Sequence, residues 1–208
     1  MMSSVDIKED LGQHGYVFLR NFFNKEEIIN ARNAVIDFAD NMYNCIDISE
    51  CKYNAKQGNP ASRIFLNENK ILSQNIHVTQ IGEHTKLFDL LKNIYGTEPK
   101  CYPEKWFRFY KKNEGTQKHI DWICPENLNR YTAWIPLGNC KNGISICRGS
   151  HTMSLDMPIH ERLNYKGEWD TTEFYVGDLV LFDVRCLHKG LKNTEDYYRI
   201  SMESRWYI

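Results

Sequence analysis

The change of texture at Gly96 is the feature that most limits what this 208-residue chain can fold into. Before it, apolar residues recur at helical spacing. After it, from Lys105 to Ile208, short aromatic and β-branched segments are separated by turn signals at Asn113-Glu114-Gly115, Asn142-Gly143, Gly167, Gly177 and Asn193. This pattern predicts strands near 105–111, 117–122, 131–136, 144–148, 173–176, 178–183, 186–191 and 197–207. Upstream, Gly15-Tyr16-Val17-Phe18-Leu19 reads as a short strand. Asn24 reads as the N-cap of a helix reaching about Met42, with Glu27 placed as in a capping box. A second helix runs from about Glu83 to Tyr95, with Leu87, Leu90, Leu91 and Ile94 on one face, and stops at Gly96. Residues 44–80 are polar and irregular, with Gly58 and Pro60, and read as a long surface loop. Helices first and about eight strands after predict a mainly β fold with flanking α: a cupin-like jelly roll with N-terminal helices packed on one sheet. No repeat or linker interrupts the chain. It reads as one domain over 1–208, helical over about 1–96 and a β-barrel over about 97–208.

Composition narrows the function. Lys and Arg number 26 against 27 Asp and Glu, a net charge of −1, which argues against an electrostatic nucleic-acid binder or a polybasic membrane anchor. The longest strictly apolar run, Leu179 to Phe182, is far short of the ~20 residues that span a bilayer. Asp6, Glu9 and Asp10 leave residues 1–20 without an apolar h-region, so neither a secretory signal nor a transit peptide is expected. Seven cysteines, an odd number with no Cys-x-x-Cys pair, fit free thiols in a reducing cytoplasm better than a disulfide framework or a structural zinc site. A cytoplasmic protein with a small-molecule partner, rather than nucleic acid or membrane, is the expectation. Nothing in the sequence specifies an oligomer.

Side chains alternate between faces along a strand. In 105–111, Trp106, Arg108 and Tyr110 share one face, and Phe107 and Phe109 the other. In the last strand Arg199, Ser201, Glu203 and Arg205 oppose Ile200, Met202 and Trp206. Strands that put Arg and Tyr on one side and Phe, Ile and Met on the other predict a polar lumen, although a solvated charged face would give the same alternation. His119-Ile120-Asp121 falls on a predicted strand, so imidazole and carboxylate converge on one side. A third ligand must come from elsewhere, and His188, after Gly177-Asp178-Leu179-Val180-Leu181-Phe182-Asp183, is the best candidate. Two His and one carboxylate form the facial set of non-haem Fe(II) oxygenases, which leaves positions open for substrate chemistry. His-x-Asp alone is a weak signal. The second spacing strengthens it: Arg199 follows His188 after ten residues and begins Arg199-x-Ser201, and a guanidinium fork suits the far carboxylate of a dicarboxylic cosubstrate. His14, His77, His84 and His160 lie in helix-start or loop contexts and read as solvated.

The pattern His119-x-Asp121…His188-x10-Arg199-x-Ser201 resembles the iron- and 2-oxoglutarate-dependent oxygenases of the phytanoyl-CoA dioxygenase family. The opening Gly15-Tyr16-Val17-Phe18-Leu19-Arg20 is similar to that family's start. So is Trp134-Ile135-Pro136-Leu137 leading through Asn142-Gly143 to Gly149-Ser150-His151. The resemblance implies a double-stranded β-helix with iron at its mouth, cosubstrate 2-oxoglutarate and O2. It implies that His119, Asp121 and His188 ligate the metal, and that Arg199, with Ser201, holds 2-oxoglutarate, Trp134 and Tyr110 lining its pocket. It further implies hydroxylation of an unactivated C–H bond with release of succinate and CO2, and a carboxylate at Asp121 argues against halogenation. Two departures stand out: Arg148 replaces a usual Pro before Gly149-Ser150-His151, and Gly190 occupies a position where some members place a Ser. Arg108, Trp122, Arg148, His151 and Trp106 are the candidates for substrate contact, although His151 reads first as a residue that orders a loop near the site. Two guanidiniums beside flat rings suit a small polar, anionic metabolite, though Arg108 paired with Glu203 and a solvated Arg148 are the bland alternative. Two rival functions remain: a redox-silent cupin-type metalloprotein, such as a zinc hydrolase or isomerase, and an idle binding module. Both leave Arg199-x-Ser201 unexplained.

Overall fold

Alternation along β9 (Leu179–Asp183) shows how the molecule is layered: Leu179 and Leu181 face one way, and Val180 and Phe182 the other. The computed structural model describes residues 3–43, 46–47, 52–53, 66–121 and 130–208. In the larger sheet β1 (Tyr16–Leu19), β9, β6 (Arg130–Pro136), β11 (Arg199–Tyr207) and β4 (Lys100–Cys101) lie in that order, and β5 (Trp106–Tyr110) also pairs with β11. Every pairing is antiparallel. The smaller sheet orders β10 (His188–Gly190), β7 (Ile144–Cys147) and β8 (Trp169–Asp170). A short pair, β2 (Ile46–Asp47) with β3 (Lys52–Tyr53), stands apart.

One face of the larger sheet, with Val17, Phe107, Phe109, Ala133, Ile135, Leu181, Ile200 and Met202, packs into a single core with the helices. These are α1 (Ser4–His14), α2 (Lys25–Tyr43), α3 (Leu66–Ser73), α4 (Ile76–Gly82) and α5 (Thr85–Tyr95); the short α6 (Ile159–Arg162), later in the chain, lies outside that core. Ile28 and Val35 of α2 and Leu87 and Leu91 of α5 are fully buried there. Each such side chain contributes roughly 1.5–3 kcal/mol. The opposite face closes over the smaller sheet, where Trp134, Val180 and Phe182 meet Ile144, Ile146 and Phe174. The jelly roll with helices on one sheet is therefore the observed fold, and Arg199, Ser201, Glu203 and Arg205 point away from the helix core.

The structure departs from the sequence reading in several places. Helix α1 was not expected, because only Ile7 and Leu11 anchor it. Ser3 and Asp6 close a reciprocal capping box, and Gly15 ends the helix at φ 87°. Part of the expected loop 44–80 is helical. Asn75, which reads as a loop residue, caps α4 with its side-chain oxygen, and α3 and α4 are too short to display a period. Glu27 does not close a capping box; its carboxylate meets Gln80 and His84 instead, while Asn24 Oδ1 accepts from Glu26 N. The strands expected at 117–122 and 173–176 shrink to single bridges, His119 with His188 and Cys140 with Phe174. Their partner segments are too short to propagate a ladder.

Candidate active site

His119 and His188 meet through their backbones: each donates its N–H to the other's carbonyl, at 2.8 and 2.9 Å. Their rings then lie 4.2 Å apart between centroids. His188 Nδ1 donates to the Cys186 carbonyl at 3.0 Å, and His119 Nδ1 to the Gln117 carbonyl at 2.8 Å. With both Nδ1 protons engaged, each Nε2 carries the free lone pair, the tautomer a metal requires. Asp121 completes the group. Its Oδ1 lies 3.8 Å from His188 Nε2, and one donor atom from each of the three residues lies within 4.8 Å of the others.

Both carboxylate oxygens of Asp121 are held. Thr132 Oγ1 donates to Oδ2 at 2.9 Å, and Arg205 Nη2 sits 3.1 Å from Oδ1. Arg205 is in turn stacked 4.1 Å over the Trp106 ring. Burial alone would raise the Asp121 carboxyl, but His188, Arg205, His119 and the Thr132 hydroxyl together hold it below the ordinary aspartate value. Burial pushes the His188 imidazole down, against the pull of Asp121. A deprotonated carboxylate and neutral imidazoles are the ligand states an Fe(II) ion takes.

Arg199 closes the other end of the same cleft. It is 3% exposed, lies 4.7 Å over the Tyr110 ring, and its Nη1 donates to the carbonyls of Asn142 and Leu191. Among the described residues its buried Nε has no hydrogen-bond partner. An unmatched guanidinium donor fits the distal carboxylate of 2-oxoglutarate, and the His–Asp–His set fits iron. Tyr110, Thr116, Trp134, Gly143, Ile144 and Gly190 line the space between, with Arg108 and Glu203 at its side. Thr116 Oγ1 accepts from Gly190 N at 2.6 Å, and a Cβ on Gly190 would sit 3.3 Å from Arg199 Nη2.

His119, Asp121, His188, Arg199, Trp134, Tyr110 and Arg108 are thus brought together. Ser201 is buried between Arg199 and Glu203 on the same strand face. Three expected substrate contacts are not part of the cleft lining. Trp106 lies under the Arg205 guanidinium. Arg148 is turned to Asp170, with Nε at 3.0 Å and Nη2 at 3.1 Å, on a half-exposed surface. His151 is buried with Nε2 against the Gly12 carbonyl at 3.1 Å, where it fastens the Gly149-Ser150-His151 turn to α1. Trp122 lies outside the described residues. Sequence reasoning gave no role to Thr116, Thr132, Gly143 or Ile144. Thr132 shares the parity of Trp134 and could have been found by alternation, whereas nothing local marks Thr116.

The sequence profile described as phytanoyl-CoA dioxygenase (PhyH) matches residues 11–201. The chain belongs to the phytanoyl-CoA dioxygenase family. As such it is an iron- and 2-oxoglutarate-dependent dioxygenase, with a His–Asp–His set able to hold the metal. No curated protein matches the sequence. Among solved structures, AviO1 from Streptomyces viridochromogenes Tue57 is similar to this family member, with a TM-score of 0.77 and 12% identity, covering 100% of this chain and 96% of that one. The non-heme alpha ketoglutarate dependent carbocyclase SnoK from nogalamycin biosynthesis has a TM-score of 0.75 and 14% identity, covering 97% and 83%. EctD from S. alaskensis, solved with 2-oxoglutarate and 5-hydroxyectoine, has a TM-score of 0.71 and 15% identity, covering 99% and 76%. At these identities the likeness is one of fold. Among the described residues no helix is long and apolar enough to cross a membrane.

Proposed function

We propose that this family member hydroxylates an unactivated C–H bond of a small polar metabolite bearing a carboxylate, with His119, Asp121 and His188 as the iron ligands. The observation that carries the reading is the donor set within 4.8 Å, set beside a buried Arg199 with an unmatched Nε in one cleft. When bound, iron with 2-oxoglutarate and O2 supplies an oxidative decarboxylation to succinate and CO2 coupled to oxidation of the C–H bond. The chain's own residues bind and orient. His119 and His188 present Nε2, Thr132 and Arg205 fix the Asp121 carboxylate, and Arg199, with Ser201 beside it, takes the far carboxylate of 2-oxoglutarate. Tyr110 and Trp134 wall the cosubstrate from water.

A small substrate is supported by the little space beside Arg108 and Glu203, and a carboxylate by the Arg108 guanidinium. Hydroxylation rather than halogenation is supported by the carboxylate of Asp121, which fills a metal position that chloride would need. Cys101, Cys140, Cys147 and Cys186 are free thiols, which supports a reducing, cytoplasmic setting, and the continuous helix-and-sheet core supports one domain. The test is succinate release from 2-oxoglutarate by protein loaded anaerobically with Fe(II) and then exposed to O2. Succinate should form, and fall to background in His188→Ala. Release that is absent in the wild type, or unchanged in the variant, would overturn the assignment.

A further inference from the structure

The lumen charges can be accounted for one by one. Asp121 is paired with Arg205, which is also stacked on Trp106, so that cation is committed. Arg199 is held by two carbonyls and Tyr110 at the far end of the cleft. Two charged side chains are left, Arg108 and Glu203, both lining the cleft. They oppose each other loosely. Arg108 Nη2 and Glu203 Oε2 are 3.6 Å apart, beyond hydrogen-bond reach, the Arg108 Nη1 bond to the Phe107 carbonyl is long at 3.4 Å, and the Tyr110 hydroxyl is the guanidinium's other polar neighbour. No hydrogen bond reaches the Glu203 carboxylate from any described side chain. Their side chains are only 16% and 12% exposed, and that exposure opens into the cleft. A buried ion pair with such geometry leaves polar capacity unspent on both partners, which is costly unless a ligand uses it. A purely anionic ligand would satisfy Arg108 but face the Glu203 carboxylate. A purely cationic one would meet the reverse.

We propose that the substrate is a zwitterion of the α-amino-acid class, its carboxylate taken by Arg108 and its ammonium by Glu203. The short separation of the two protein charges decides the class. Complementary charges on the ligand must sit equally close, as they do when carboxylate and ammonium share one carbon. Glu203 lies opposite both Trp106 and Trp134 and Arg108 opposite Ser201, and the pair lines the same cleft as His119 and His188. The remainder of the ligand then projects toward His119 and His188. This deepens the proposed function and rests on its reading of the cleft as the substrate chamber.

The test uses the full chain loaded anaerobically with Fe(II) and 2-oxoglutarate. Binding of free L-amino acids is measured by calorimetry beside their N-acetyl derivatives, which keep only the anion, and their methyl esters, which keep only the cation. At least one free amino acid should bind roughly 10- to 100-fold more tightly than either derivative, the range expected for loss of one charge-assisted contact. Glu203→Gln should erase most of the gap between free and N-acetyl forms, and Arg108→Gln most of the gap between free and ester forms. The wild-type comparison stands even if a variant fails to fold. Derivatives that bind as well as the free acid, or a panel in which no free amino acid binds, would overturn the proposal. Admission of O2 separates this from failure of the parent reading: no succinate with or without ligand rejects the 2-oxoglutarate assignment alone, while succinate without amino-acid preference rejects only the zwitterion.

Discussion

At the scale of single residues the candidate site is a set of cations, each with a different occupation. Arg199 is expected to matter for the cosubstrate and not for the metal. Arg199→Ala should raise the 2-oxoglutarate requirement roughly 10- to 150-fold, the equivalent of ~1.5–3 kcal/mol for a hydrogen bond to a charged group, while leaving Fe(II) stoichiometry unchanged. An anaerobic titration followed by the charge-transfer absorption of the ternary complex reads both quantities. Arg205 is expected to behave in the opposite way, since it meets Asp121 Oδ1 at 3.1 Å and lies over Trp106. Arg205→Gln should weaken metal binding roughly 10- to 100-fold, as removal of an outer-shell partner does. Equal metal affinity in a Co(II) titration would mean that Thr132 alone suffices to hold the carboxylate.

At the scale of elements, two of the junctions between the N-terminal segment and the barrel lend themselves to a test. Gly15 ends α1 with φ 87°, and a Cβ there would lie 2.5 Å from His151 Nδ1 and 2.6 Å from Cys186 Sγ. Cys186 precedes His188 by two residues and its backbone carbonyl accepts the hydrogen bond from His188 Nδ1, so the turn is also a neighbour of the site. Gly15→Ala should cost about 2–4 kcal/mol, combining overpacking with a left-handed backbone, measured by urea denaturation. The second junction is Asp170 on β8, which accepts from the Tyr16 hydroxyl of β1 and from Arg148. Burial would raise the Asp170 carboxyl, but Tyr16 and Arg148 outweigh it and leave it below the ordinary aspartate value of 3.8. A carboxyl depressed in the folded state contributes stability in full above its unfolded value, and loses it as pH falls through the folded one. The stability gap between wild type and Asp170→Asn should therefore be constant at neutral pH and close below about pH 4. A gap that persists into stronger acid would point to packing instead.

At the scale of the whole molecule, the barrel divides labour between its two faces. The helix side of the larger sheet carries the core, with Ile135, Leu181 and Met202 at 0% exposure, while its lumen side carries the charges. The proposed ligands join separate parts of this arrangement: His119 and Asp121 come from the segment after β5, and His188 from the smaller sheet. A metal that bridges them stabilises the folded chain by mass action. At a free Fe(II) concentration 100-fold above its dissociation constant the gain is about 2.7 kcal/mol, or roughly 5–10 °C in Tm for a chain of this size. Anaerobic calorimetry should show that rise in the wild type and lose it in Asp121→Ala. An equal rise in both would place the ion elsewhere.

The alternation of Trp106, Arg108 and Tyr110 against Phe107 and Phe109, and of Arg199 through Arg205 against Ile200 and Met202, was legible in the sequence because a pleated strand turns successive side chains to opposite faces whatever lies across from it. The same local rule put His119 and Asp121 on one side of a strand, while helical spacing marked α2 and α5; His188 was reached only through its ten-residue spacing to Arg199 and the family resemblance. It could not show α3 and α4, which are too short to reveal a period, or α1, which rests on two buried residues. Nor could it assign partners. Arg148 and Arg108 read alike along the chain, yet one is turned outward to Asp170 and the other inward beside Glu203. Arg205 reads as one more lumen charge until Asp121 is found against it. Those distinctions depend on register between segments far apart in sequence, because a charge is neutralised by whatever the fold carries to within a few ångströms of it, and only the tertiary structure decides which groups those are.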